Sequence, residues 1–190
     1  MLDRLMRNWV YGGFLSALAL LGLFPLIAPH WPETLRLTYL FLPIYMIHQY
    51  EEHDADRFRL FFNLTLGKGR EVLTPAAVFV INIFGVWGVI LLACYLSAYV
   101  APGLGLIAVY LAVVNAVVHI VHAIIFRRYN PGLGTAVAIF LPLGGYAIMR
   151  FDALGAGGRA FQAIALFVAI VIHAAIVAYA LRRRSALAPI

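Results

Sequence analysis

The sequence predicts an all-α, polytopic membrane bundle of about six helices, and three observations carry that expectation. Of 190 residues 64% are hydrophobic and only 12% charged, and the apolar residues gather into six runs separated by Pro, Gly and Arg. A mean hydropathy of +0.94 excludes an ordinary soluble domain. No repeat, low-complexity tract or linker divides the chain, so residues 1–190 read as one integral-membrane domain.

The first run, 9–28, follows Arg4 and Arg7 and is long enough to span, a bilayer needing about 20 helical residues. It is expected to be retained: an A-x-A cleavage pattern is missing, and the nearest candidate end, Ala28, is followed by Pro29. The second run, 35–50, is short and should extend further; Pro43, five residues before His48, removes a backbone hydrogen bond and is expected to tilt its last turn. The third, 76–100, holds Cys94, the sole cysteine, so one chain can build no disulfide or thiolate metal site. In this run Asn82 reads as an interhelical hydrogen-bond residue, since Gly85 and Gly88 continue its small-residue face and suggest close helix packing.

The fourth run, 103–126, stops at Asn130-Pro131-Gly132-Leu133-Gly134, a turn because Pro ends a helix and Gly tolerates positive φ. The fifth, 133–149, is again short and is expected to bend at Pro142. Gly144-Gly145 and Gly157-Gly158 read as close packing or turns. The sixth, 160–181, ends in Arg182-Arg183-Arg184. Residues 54–75 form the one long connection, and Arg57-Phe58-Arg59-Leu60-Phe61-Phe62 alternates cation with apolar group. That suits a segment at the headgroup boundary and equally a solvated loop with some buried aromatics, either of which could form a lid or a lipid-facing doorway.

Basic residues orient the bundle. With the N-terminus inside, Arg4, Arg7, Arg57, Arg59, Lys68, Arg70, Arg127, Arg128, Arg182, Arg183 and Arg184 are cytoplasmic, and only Arg36, Arg150 and Arg159 are outside. Six spans return the C-terminus to the same side, so both termini are expected in the cytoplasm, in the inner membrane of a bacterium. The net charge of +6 then reports topology, and no nucleic-acid partner is expected.

Within this apolar setting the string Ile47-His48-Gln49-Tyr50-Glu51-Glu52-His53 stands out. His48, Glu51 and Glu52 lie at i, i+3 and i+4 and share one helix face, and ionisable groups inside a membrane mark function by default. Asn115, His119 and His122 form a stripe on the fourth helix, the third offers Asn82 and the sixth His173. At a rise of about 1.5 Å per residue these positions all fall in the cytoplasmic half. His53 is placed at the interface and His30 in the outer loop beside Trp31, both outside the cluster.

Four imidazoles and two carboxylates suit zinc or iron. His48, His119, His122 and His173 are the expected nitrogen donors. Glu51 and Glu52 point about 100° apart on a helix, so one is expected to bind metal while the other serves as catalytic base or accepts a hydrogen bond from a ligand. The set accommodates one ion with a spare Glu, or two ions sharing all six residues. Asn82 and Asn115 are expected to orient an imidazole or hold a substrate.

The string His48-Gln49-Tyr50-Glu51-Glu52, followed by Asn115, His119 and Tyr129-Asn130-Pro131-Gly132, resembles the HXXEE-domain family of small bacterial multi-span membrane proteins. That resemblance implies the layout and no particular reaction. The residues themselves favour a metal-dependent enzyme acting on a membrane lipid or other hydrophobic molecule, with zinc hydrolysis slightly ahead of a di-iron oxidase. No His-Glu-x-x-His string supports a known zinc protease, and the dense histidine boxes of membrane desaturases are lacking. A proton or metal-ion transporter, which a homodimer could complete, and a metal-free structural subunit are the other classes.

Overall fold

The computed structural model describes residues 1–187, and every regular element among them is helical. We number the helices α1 Leu2–Ile27, α2 Glu33–His53, α3 Arg57–Thr65, α4 Pro75–Tyr99, α5 Pro102–Phe126, α6 Leu133–Ala153 and α7 Arg159–Ala186. Five of them, α1, α4, α5, α6 and α7, are long and apolar enough to cross a membrane. α2 matches them in length at 21 residues but carries Glu33, Arg36, His48, Glu51, Glu52 and His53. Its polarity is accommodated by position: Thr34, Thr38, His48, Gln49, Glu52 and His53 are buried against α1, α4, α5 and α6 rather than facing lipid.

α2 and α5 form the centre. Half of the most apolar stretch of α5 (50%) is buried, against 17–28% for the other four spanning candidates. Phe41 and Tyr45 of α2, Leu106 and Leu111 of α5, and Phe140 and Phe151 of α6 fill the space between them. α1 lies along α2, α6 closes the opposite flank, and α7 packs along α5. Gly144 of α6 sits so close to Val113 that a methyl group there would collide with its side chain, which bears out the packing expectation at that glycine.

Several helices run past their sequence-based limits. α2 continues through Pro43 to His53, and α6 continues beyond Met149 to Ala153, as their shortness suggested. α1 starts at Leu2, seven residues early, because its polar first turns still have helical propensity outside the apolar run. The close-packing reading of Gly85 and Gly88 needs correction: a Cβ would meet nothing within 4 Å at Gly85, and at Gly88 only an ordinary contact at 3.6 Å.

What those residues do instead is form a π-helical stretch, Ile81–Trp87. Residues five apart point about 140° apart on an α-helix, whereas a π-turn brings them onto one face. Asn82 and Trp87 therefore both reach Gln49 of α2. Gln49 Nε2 donates to Asn82 Oδ1 at 2.7 Å, Trp87 Nε1 donates to Gln49 Oε1 at 2.6 Å, and Asn82 Nδ2 donates to the Val78 carbonyl at 2.8 Å. The fully buried amide is thus satisfied from one widened turn.

Both terminal segments meet the long connection at one end of the bundle. Tyr11 donates to Asp54, the Trp9 and His53 rings are 5.1 Å apart, and Arg184 Nη1 donates to the Leu66 carbonyl at 2.8 Å. At the other end Arg150 of α6 grips Glu33 of α2 with two hydrogen bonds, 2.6 and 2.9 Å. Within the connection α3 turns Phe62 inward onto Val72, Leu73, Val78 and Ala180, leaving Leu60 and Leu64 exposed. Asn63 ties it down by donating to the Leu73 carbonyl and accepting from the Leu73 N–H.

Candidate metal centre

The last two turns of α2 bring His48 and Glu52 onto one face, and α5 places His119 opposite them. One ligand atom from each of the three lies within 4.8 Å of the others, and all three residues are buried. Glu52 Oε2 is 3.6 Å from His48 Nε2, and its Oε1 is 3.5 Å from His119 Nε2. His53 Nε2 approaches Oε2 from the other side at 3.1 Å.

The turn between α5 and α6 decides which way the two imidazoles present their lone pairs. Asn130 Nδ2 donates to the His119 carbonyl at 2.9 Å, which fixes the amide so that Oδ1 faces the ring. His119 Nδ1–H therefore donates to Asn130 Oδ1 at 2.5 Å, and Nε2 carries the lone pair. Thr135 works in the same way. Its hydroxyl donates to Glu51 Oε2, so it accepts from His48 Nδ1–H at 2.8 Å and leaves the lone pair on His48 Nε2. That nitrogen is buried and has no hydrogen-bond partner among the described residues.

Two imidazole lone pairs and a carboxylate thus converge in a space from which water is largely excluded. His53 Nε2, 3.1 Å from Oε2, can donate to the carboxylate but leaves the two imidazole lone pairs unmatched, and acceptors brought together in this way are unfavourable unless something positive sits between them. Imidazoles whose far N–H is held by an oxygen acceptor are the usual form of His ligands to metal.

Glu51 is turned about 100° from Glu52 and has a different task. Its carboxylate accepts from the Gly134 and Thr135 backbone N–H groups at 3.0 and 2.7 Å, from the Thr135 hydroxyl and from the Tyr129 hydroxyl. A carboxylate on α2 therefore caps the first turn of α6, where unpaired N–H groups and the helix dipole favour an anion. Burial, reinforced by Glu51, pushes the Tyr129 phenol up to about 12, so it remains a donor throughout the ordinary pH range.

Gly132 completes the latch. Its φ is +95°, and a Cβ there would lie 2.7 Å from His119 Cε1 and 2.9 Å from His48 Cε1. Only glycine both adopts this backbone comfortably and leaves room for the two rings. Gly134 is equally confined, since a Cβ would meet Glu51 Oε1 at 2.9 Å.

A cavity of about 100 Å³ opens from this centre between α4, α5 and α7, with Phe58 and Phe62 of α3 closing its end. Glu52, His53, His119, His122 and His173 line it, with Asn82 and Asn115. Of the residues the sequence singled out, His48, Glu52 and His119 form the compact group, and Glu51 is bonded to His48 through Thr135. His122 and His173 are on the same cavity wall; His173 Nδ1 donates to the Ala169 carbonyl at 2.8 Å. Asn82 is engaged with Gln49 instead of an imidazole, and Asn115 Oδ1 is buried without a partner among the described residues.

His53 corrects the sequence reading: expected at the interface, it is buried beside Glu52, because the helix breaks only at Asp54–Asp56, where Ala55 and Asp56 take positive φ. Asn130, Thr135 and Gly132 were not among the expected site residues. The turn containing two of them was legible, but its contact with α2 depends on how α6 docks, which no local pattern records.

A family model described as a protein of unknown function with HXXEE motif matches residues 39–147, more than half of the chain and a stretch that includes every residue of the latch. No curated protein and no solved structure matches the chain.

Proposed function

The chain belongs to the HXXEE family, and from the geometry of that motif we propose that it is a membrane-embedded metalloenzyme holding one divalent transition metal with His48, Glu52 and His119. The observation that carries this reading is the convergence of two Nε2 lone pairs and a carboxylate, each imidazole oriented from behind by an oxygen. Two histidines and one carboxylate leave coordination positions open for water and substrate, the arrangement of catalytic rather than structural sites.

Zinc held by His48, Glu52 and His119 would supply Lewis-acid and water-activating chemistry, which favours hydrolysis of a hydrophobic ester, amide or lipid phosphodiester. Around it the protein's own groups have separable roles. Glu52 offers two oxygens, so one is available to hold a proton at Oε2, where His53 Nε2 lies 3.1 Å away. Thr135 and Asn130 keep the imidazoles in the ligating tautomer, and Glu51 positions Thr135. With Glu51 accepting from four donors and turned away from the other three residues, one ion is favoured over two. The same ligand set suits a mononuclear iron oxygenase, and the metal found will decide between the two chemistries.

The eleven basic residues at the end shared by both termini favour a cytoplasmic position for that end, so the centre lies in the cytoplasmic leaflet of the cell membrane. Elemental analysis of detergent-purified protein tests the proposal. We expect close to one zinc or iron per chain, lost in His119→Ala and Glu52→Gln, with chelator-sensitive cleavage of a long-chain ester if the metal is zinc. A parent protein purified without chelator and free of metal overturns it.

A further inference from the structure

The cavity at the centre is too small for the substrate class proposed above. At about 100 Å³ it is smaller than the roughly 150 Å³ hole that admits benzene, so it accommodates a reacting group and little more. The rest of any lipid must pass through a wall.

One wall is built for that. α7 packs along α5 and has few contacts with α4, and the two helices leave an apolar groove of about 500 Å³ on the outside of the bundle. Ala76, Ala77 and Val80 of α4 face Ala175 and Tyr179 of α7 across it. Ile81 and Ile176 line both the groove and the inner cavity, so these two side chains form the partition between them. Both helices are long and apolar enough to span, so in a membrane the groove, on the first turns of α4, would open towards lipid. The partition also falls at the start of the π-helical stretch, where the backbone of α4 is widened.

The geometry points to a lateral doorway between α4 and α7, in which the hydrocarbon chain of a membrane lipid lies in the groove and its polar end passes Ile81 and Ile176 to reach Glu52 and His119. This rests on reading the His/Glu centre as the place of reaction. The substrate class is then an amphiphile with a linear acyl or isoprenoid chain, taken from within the bilayer rather than from water. Chain contacts supply binding, while the small inner chamber selects the group that reacts.

Photolabelling in lipid nanodiscs tests the doorway. The probe is palmityl alcohol bearing a diazirine beside the hydroxyl end, with labelled residues mapped by peptide sequencing. Label is expected on the chamber residues Val118 and Ile172. Ile176→Trp should close the partition and reduce that label by about tenfold, the equivalent of about 1.4 kcal/mol, while bound metal stays at the parent level. Ile176→Ala, which opens the partition, should increase the label and guards against a misfolded tryptophan variant. Chamber labelling unchanged by Ile176→Trp, or lowered by Ile176→Ala, overturns the doorway. Metal-free protein that still labels in the chamber, with the expected response to both variants, supports the doorway and removes the metalloenzyme reading.

Discussion

At the residue scale the two adjacent glutamates divide the labour. Glu52 faces two imidazoles, so Glu52→Gln should abolish metal binding. Glu51 is turned away from the group of His48, Glu52 and His119; it holds Thr135, which holds His48. Glu51→Gln and Thr135→Val are therefore expected to keep the metal but weaken it by about 10–100-fold, the usual effect of losing a group that orients a ligand, while Thr135→Ser should restore most of the loss. Competition with a chelator of known affinity measures this, and equal loss in Glu51→Gln and Glu52→Gln would mean both carboxylates bind the ion.

Gly132→Ala tests the latch differently. The new methyl would occupy left-handed backbone at a cost of about 1–2 kcal/mol and press on both imidazoles. We expect a lower thermal midpoint in detergent together with lost metal; a variant that unfolds and binds metal as the parent does would show that the turn is free to move away.

At the element scale, the widened turn of α4 and the capped start of α6 do work that no propensity predicts. Helix-period polarity on α2 and α5 was enough to pair His48, Glu52 and His119, because depth along a helix follows directly from residue number. The rest was hidden. Gln49 drew no expectation from the sequence, yet it is fully buried and bonded to both Asn82 and Trp87. The angle of about 100° between Glu51 and Glu52 foretold different roles, and only the docking of α6 tells which residue takes which. His53 was misplaced because the end of α2 was put at Tyr50, and a helix end shifted by one turn moves a residue from interface to core.

Asn82→Leu should remove the acceptor for Gln49 Nε2 in a buried setting and destabilise the bundle by about 1–3 kcal/mol. Thermal unfolding compared with Phe84→Leu, which alters an exposed side chain on the same π-helical stretch, checks the size of the effect. Similar midpoints for the two variants would remove the brace between α2 and α4 as a source of stability.

At the scale of the whole molecule, charge is segregated by end. The connection between α2 and α4, both terminal segments and the turn before α6 gather eleven of fourteen cations, and the opposite end has the Glu33–Arg150 pair with Arg36 and Arg159. Single cysteines at Lys68 and at Arg159, introduced one at a time with Cys94→Ser, should therefore react from opposite sides. A membrane-impermeant maleimide is expected to label Arg159→Cys in intact cells and Lys68→Cys only in inverted vesicles; the reverse pattern would put the His48, Glu52 and His119 group in the outer leaflet.

The buried, charge-bearing α2 has a consequence for how the protein is made. A helix with Glu33, Arg36, Glu51 and Glu52 pays a penalty of about 2.5–3.5 kcal/mol for each charge carried to the middle of a membrane, falling towards its ends, and it is not among the five helices apolar enough to cross alone. Yet the partners that neutralise it, Arg150, the Asn130–Thr135 turn and His119, are all synthesised later. Membrane entry of the second helix is therefore expected to depend on residues nearly a hundred positions downstream, and truncation of the chain before α5 should leave α2 accessible to a water-soluble maleimide through Gln49→Cys.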